Sequence, residues 1–289
     1  MKNILITGAT GNLGALLIEK LKNFKIYAIT NHDFYNENSK VKWIYADLLD
    51  AEKLFDALSE IPKIDIVIHL AAIIPNNNKD NLNYILNEKM TSNLLEVIKK
   101  YDVEKIIFSS SMTVYGRPLY LPVDKKHPLN PLDKYAKSKL NCEYLIKDFS
   151  EKNDVTSIII RFPGLFGKRI KKGAIYNFFE KAKKNKDLEL YLNDTPWDIL
   201  CADDAVKIIY SIVKKPIKKN VICIPDYGER INILDISKRI ISITDSKSKL
   251  NVKGTKTCDF YYSKDIFLEE IGVELPSLNE ALIEFGKTI

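Results

Sequence analysis

The sequence predicts an α/β fold: a doubly wound parallel sheet of about seven strands, wrapped by helices on both faces, with a smaller C-terminal lobe. Three observations carry this. The chain opens on an apolar run, Ile4 to Ile6, ending in Thr7, with three glycines (Gly8, Gly11, Gly14) and an amphipathic helical stretch directly behind it. Strand-length and helix-length segments then alternate along the chain, as a parallel sheet with helical crossovers requires. The segment IDIVIHLAA, Ile64 to Ala72, is apolar almost without interruption, the mark of a strand buried on both faces.

Length and composition set the outer limits. A chain of 289 residues buries roughly three quarters of its unfolded surface, enough for one large domain and a smaller lobe. Net charge is +6, but 44 basic residues are interspersed with 38 acidic ones, a solvated surface with no case for nucleic acid. No basic-then-apolar leader and no apolar run of membrane-spanning length stand in the sequence, so a soluble, cytoplasmic protein is expected. Cys142, Cys201, Cys223 and Cys258 lie far apart, and His32, His69 and His127 form no paired spacing. Reduced thiols and no metal site are expected.

The first unit, KNILITGATGNLGALLIEKL, is a phosphate-binding strand, turn and helix. After the strand the backbone must fold back, approach a ligand with no Cβ in the way, and start a helix close to the sheet; glycine meets each demand. The amides over Gly8, Thr10, Gly11, Asn12, Leu13 and Gly14 then face an anion at the positive end of the helix.

The next segment, Lys25 to Thr30, reads as a second strand. Its end is where a dinucleotide-binding fold meets the adenosine ribose. Thr30 and Asn31 are neutral there, and His32 can donate to a 2′-phosphate or serve as a plain loop histidine. The balance favours NADP, with NAD kept as the alternative because Asp33 is close enough to act as the missing acid. A third strand, from Val41, runs into Asp47, Leu48 and Asp50; Asp50 reads as a helix cap. His69, near the end of the fourth strand, reads as a packed structural histidine.

Glu104 to Gly116 forms a fifth strand carrying Ser109, Ser110 and Ser111 at its carboxyl end, where ligands bind in open α/β sheets. Tyr135 and Lys139 follow, four apart on one helix face. A lysine ammonium near a phenol favours the phenolate and lowers a pKa of about 10 towards neutrality. Tyrosine can then exchange a proton near pH 7.

TGATGNLG, HLAA, SSSMTVYG and YAKSK, in that order, resemble the extended short-chain dehydrogenases/reductases, the NAD(P)-dependent epimerase/dehydratase family that mostly acts on nucleotide sugars. The likeness continues through SIIIRFPGLFG, WDILCADDAV and the C-terminal SKDIFLEEIGVELPSLNEAL, essentially the whole chain. It implies a Rossmann domain over 1–167, rejoined by 195–225, and a substrate lobe from 168–194 and 226–289. It implies that Asp47 and Leu48 lie beside the adenine, that Leu70, Ala71 and Ala72 let the cofactor rest on the fourth strand, and that Asn87 supports the cofactor site from a helix over 81–100. Ser109, Phe162 and Pro163 are placed at the cofactor, and Ser109 and Ser110 are otherwise structural. Ser111 would orient the reacting oxygen, Tyr135 move the proton, and Lys139 lower the tyrosine pKa and hold the nicotinamide ribose. A homodimer through the helices near Asn87 and Tyr135 is also implied.

Departures from the pattern shape the choice of reaction. Dehydratases of the family carry Asp-Glu after the hydroxyl residue, where this chain has Met112 and Thr113. Sugar epimerases place an arginine on the substrate diphosphate where this chain has Trp197. Lys168, Arg169, Lys171 and Lys172 are a nearby basic run, of which Arg169 is taken as the anion contact, with Arg230 as another candidate and a plain solvated surface as the alternative. Met112, Thr113, Ser111 and Trp197 are assigned to the substrate. The expected activity is a nucleotide-sugar 4-ketoreductase, with an NAD-dependent nucleotide-sugar epimerase as the alternative and a non-catalytic dinucleotide sensor as the second.

Overall fold

The computed structural model describes residues 2–31, 40–74, 83–192, 196–256 and 258–289. The chain runs β1 (Asn3–Thr7), α1 (Asn12–Lys20), β2 (Lys25–Thr30), β3 (Val41–Tyr45), α2 (Ala51–Ser59), β4 (Ile66–His69), α3 (Ile85–Ile98) and β5 (Lys105–Ser111). A 3-10 turn over Met112–Tyr115 leads to α4 (Lys134–Asn153) and β6 (Thr156–Phe162). There follow β7 (Gly164–Phe166), α5 (Gly173–Ala182), β8 (Leu188–Tyr191), β9 (Ile199–Cys201), α6 (Ala202–Lys214), β10 (Val221–Cys223) and α7 (Ile233–Ile243). The chain closes with β11 (Leu250–Lys253), α8 (Ile266–Glu270) and α9 (Leu278–Gly286).

Seven strands form one sheet in the order β10-β6-β5-β4-β1-β2-β3, every pairing parallel. Strand period explains how both faces are covered. Ile4, Ile6, Ile107, Ile158 and Ile160 point into a core shared with α1 and α6, while Leu5, Ile106, Phe108 and Ile159 point into the opposite core under α2, α3 and α4. Each such side chain, fully buried, contributes on the order of 1.5–3 kcal/mol of transfer free energy. The chain leaves β1 in one direction to β2 and β3 and in the other to β4, β5 and β6. That reversal opens a crevice beyond the carboxyl ends of β1 and β4, the usual ligand position in such sheets.

A third apolar cluster joins α5, α7 and α9 through Phe178, Phe179, Ile236, Ile240, Leu282 and Phe285. Two-stranded parallel pairs, β8 with β11 and β7 with β9, accompany it. By contrast Phe267, Leu268 and Ile271, on and just after α8, pack with α1 and α6 against the main sheet.

The second strand has its expected bounds, Lys25–Thr30, while the fourth, expected over Ile64 to Ala72, is Ile66–His69. The fifth strand stops at Ser111, whose side chain accepts from the Thr113 amide and starts the 3-10 turn instead of continuing to Gly116. Asp50 caps α2 by accepting from the Lys53 amide at 3.1 Å, the role expected of it. Among the described residues no helix is long and apolar enough to cross a membrane.

Candidate active site

The crevice is a cavity of about 740 Å³. Its floor is the first turn. Gly8 sits at φ +67°, in left-handed backbone, and a Cβ there would stand 2.6 Å from the Ala71 amide nitrogen. A Cβ on Gly14 would stand 2.3 Å from the Gly8 carbonyl oxygen. The Gly11 amide donates to that same oxygen at 3.0 Å, and α1 begins with no side-chain cap. What remains is bare backbone with unclaimed helix amides and no room for a side chain. A diphosphate fits such a cradle.

Of the residues expected at a cofactor, Gly8, Thr10, Gly11, Asn12, Leu13, Gly14, Asn31, Asp47, Leu48, Leu70, Ala71, Ala72, Ser109, Tyr135, Phe162 and Pro163 line the cavity, as do Ser111, Met112, Thr113 and Trp197 of the substrate set. Most of them converge because they stand at or just after the carboxyl end of a strand or at the head of α1. His32 and Asp33 lie outside the described residues. Three others stand off the wall. Asn87 holds the β4–α3 connection, accepting from the Ile73 amide at 2.7 Å and donating to the Ile73 carbonyl and Ser138 Oγ, both at 3.1 Å. Arg169 is exposed and does not border the cavity; Lys172, in the same basic run, does. Lys139 is buried, with its Nζ 4.2 Å from the centre of the Phe108 ring.

Local capping positions Tyr135 and Ser111. Asp133 accepts from the Ala136 amide at 2.7 Å and so fixes the first turn of α4, which carries Tyr135. Tyr84 packs edge-on against the Tyr135 ring at 5.7 Å. Ser111 Oγ accepts from the Thr113 amide at 3.3 Å and from the Thr113 hydroxyl at 3.0 Å, and its hydroxyl stands beside the Tyr135 phenol.

The electrostatics correct one expectation. Burial pushes the Tyr135 phenol up to about 12, against an opposing pull from the Ser111 hydroxyl beside it. The expected lowering by Lys139 is not among the pulls on the phenol: its ammonium sits inward, over Phe108, where burial lowers its own pKa to about 8. His69 is the packed histidine expected: its Nδ1 meets Thr7 Oγ1 at 2.6 Å, its Nε2 meets Thr91 Oγ1 at 3.0 Å, and burial with the nearby Lys139 charge lowers it to about 3.

Sequence reasoning missed two features. Ser110 donates to Glu143 at 2.5 Å, and Arg161 grips Glu143 through Nε at 3.0 Å and Nη2 at 2.7 Å while its Nη1 donates to the Tyr115 hydroxyl at 2.8 Å. These partners lie far apart in sequence, so no local spacing signals them. Asp198 also borders the cavity; burial and the neighbouring Asp226 carboxylate push it well above the ordinary range. Among the described residues no cluster of His, Cys, Asp and Glu could hold a metal.

A glycine cradle at a sheet's switch point, facing serine and tyrosine hydroxyls in the same cavity, defines a dinucleotide-binding protein with a site equipped for proton transfer. Residues 4–233 match the NAD dependent epimerase/dehydratase family, and the chain belongs to that family of enzymes. It is 35% identical over 196 residues to a putative UDP-glucose 4-epimerase of Methanocaldococcus jannaschii (63% of this chain, 64% of that one). It is 30% identical over 273 residues to a dTDP-D-glucose 4,6-dehydratase of Dictyostelium discoideum (84% and 62%). The chain thus spans under two-thirds of the length of these curated relatives. The fold matches that of a UDP-glucose 4-epimerase of Thermus thermophilus in complex with NAD, with a TM-score of 0.83 at 19% identity over 99% of this chain and 98% of that one.

Proposed function

We propose that this protein is an NAD-dependent nucleotide-sugar 4-epimerase. The observation that carries the reading is the single cavity that brings Ser111 and Tyr135 to the glycine cradle, in a chain of this family. The amides around Gly8, Gly11 and Gly14 would hold the dinucleotide diphosphate, with Asp47 and Leu48 at its adenine. Bound there, the nicotinamide supplies a hydride acceptor and donor. Tyr135 exchanges the proton of the sugar hydroxyl at its phenol oxygen, Ser111 donates a hydrogen bond to the same sugar oxygen, and Lys139, charged below about pH 8, favours the phenolate. The lobe around α5, α7 and α9 would shape the sugar pocket.

Three other readings have less support. A dehydratase needs an extra acid and base beside the hydroxyl residue, and Met112 and Thr113 supply neither. The 4-ketoreductase expectation leaned on NADP through Asn31 and His32, but the family description and the Thermus complex both name NAD. A sensor has no use for a proton-transfer tyrosine.

The test is to denature the purified protein and identify the dinucleotide it releases, then to incubate native protein with C4-epimeric pairs of UDP-sugars and no added cofactor. Near-stoichiometric NAD with interconversion of a pair is the expected result. Protein that releases no dinucleotide and reduces a 4-keto sugar with NADPH would return the assignment to the reductase.

A further inference from the structure

The connection from β7 to α5 carries four cations, Lys168, Arg169, Lys171 and Lys172, and the structure sorts them. Lys168 pairs with Asp203 at 4.0 Å, on the α6 side. The Ile170 amide donates to the Gly167 carbonyl at 2.8 Å, which turns the chain back at that point. Ile170 and Lys172 then border the cavity while Arg169 and Lys171 are exposed away from it. Arg169 lies in the turn that follows β7, whereas Lys172, at φ −160° and ψ 172°, is the extended residue that leads into α5.

Lys172 is the one cation among the described residues that border the cavity. The acids there do not compete for it. Asp47 follows β3, at the far side of the sheet's switch point, and Asp198 Oδ1 accepts from the Ile199 amide at 2.7 Å while burial favours its neutral form. Trp197 borders the same cavity at the position where the family likeness implies arginine. Lys172 is also the N-cap of α5, a helix of ten residues with no side-chain cap, so the helix end adds partial positive charge of the same sign.

We propose that Lys172 holds the anionic group of the substrate, the diphosphate of a nucleotide sugar, in place of the absent arginine, with Trp197 as the neutral wall beside it. The assignment rests on the nucleotide-sugar reading above. A lysine ammonium binds phosphate oxygens as a point charge, without the paired geometry of a guanidinium. The site therefore recognises the charge of the diphosphate more than its orientation, and binding weakens with added salt because the lysine is exposed.

The experiment is calorimetric titration of UDP, and separately of inorganic pyrophosphate, into NAD-loaded enzyme. Wild type is compared with Lys172→Gln, Lys172→Arg and Arg169→Gln, and NAD affinity is measured for each. Lys172→Gln is expected to weaken UDP and pyrophosphate by about tenfold to a hundredfold, the worth of a hydrogen bond to a charged group. Lys172→Arg keeps most of the binding, Arg169→Gln stays near wild type, and NAD affinity is unchanged throughout. Equal UDP binding by wild type and Lys172→Gln overturns the assignment while leaving the epimerase reading intact. Pyrophosphate binding that depends on Lys172, in an enzyme that converts no nucleotide sugar, sinks the substrate reading and upholds the anion site. Wild type that takes up neither probe overturns both.

Discussion

The ammonium of Lys139 lies 4.2 Å from the centre of the Phe108 ring, and the same ring stacks on His69 at 5.5 Å. The cation–π contact holds a buried lysine where no carboxylate is paired with it among the described residues. It also brings positive charge near an imidazole that is already desolvated, which is why His69 falls to about 3. Folded protein thus binds no proton at His69 between pH 6.5 and about 3, whereas unfolded chain does. The native state is fully favoured above about pH 6.5 and loses about 1.4 kcal/mol for each pH unit below it, down to about 3. Denaturant unfolding at about pH 7.5, 5.5 and 4.5 should show this slope. In an NMR titration one of the three histidines should not titrate down to about pH 4.

Tyr135→Phe removes the only phenol bordering the cavity among the described residues. Turnover should fall by about 10²–10⁴ while dinucleotide affinity stays near wild type. Ser111→Ala should also lose turnover, and by a distinct route, since Ser111 is the group that opposes the upward push of burial on the phenol. Unchanged turnover in Tyr135→Phe would remove the tyrosine from the mechanism.

Under the proposed mechanism Lys139 would set the alkaline side of the pH profile. Its pKa of about 8 means that the charge which the proposal assigns to the phenolate is present below that pH and lost above it. Turnover should decline above about pH 8, while dinucleotide binding at neutral pH stays intact. Lys139→Met should be nearly inactive at every pH; a variant retaining the wild-type profile would show that the limb belongs to another group.

How much of this was readable in the sequence depends on whether the signal is local. The second strand was legible to the residue, Lys25–Thr30, because a buried apolar run ends where polar residues begin. The fourth was read too long: Leu70, Ala71 and Ala72 are as apolar as the strand before them, but they leave the ladder to line the cavity. Tyr135 is legible from its spacing to Lys139 on one helix turn; the strand end points to three serines, and the family likeness singles out Ser111 among them. The inward turn of Lys139 was not legible, since the residue that draws it, Phe108, sits on β5 and is separated from it by the whole 3-10 turn and the start of α4. Arg169 and Lys172 are indistinguishable by composition; they are separated by place, Arg169 in the turn after β7 and Lys172 at the head of α5, where it borders the cavity.

The glycines should fail in a graded order. A Cβ at Gly14 meets the Gly8 carbonyl at 2.3 Å and Ala9 Cα at 2.8 Å, both backbone, so the turn itself must move. At Gly11 the nearest atom is 3.1 Å away. Gly14→Ala should cost about a hundredfold or more in dinucleotide affinity, the scale of a misplacement of about 1 Å at a site. Gly11→Ala should cost clearly less. Fluorescence titration with NAD would check the order, and equal losses would mean that the cradle relaxes as a unit.

Glu143 and Arg161 form a pair whose side chains are 0% and 2% exposed, and both ends are fully engaged with Ser110 and Tyr115. Desolvating two such charges is costly, so the pair is weak evidence for stability as it stands, but breaking it is another matter. Glu143→Ala leaves a buried guanidinium and the Ser110 hydroxyl without their partner and should destabilise the protein by about 3–5 kcal/mol. Glu143→Gln keeps an acceptor for Ser110 and should cost less. The pair also joins α4, which carries Tyr135 and Lys139, to the ends of β5 and β6, which carry Ser111 and Phe162. A Glu143→Gln protein that is still folded at the assay temperature should therefore show a lower kcat with little change in KM, because the hydroxyls shift relative to one another while the cavity persists. Thermal unfolding and steady-state kinetics on the same preparation separate the two effects. A variant that loses stability but keeps wild-type kcat would confine the pair to a role in folding.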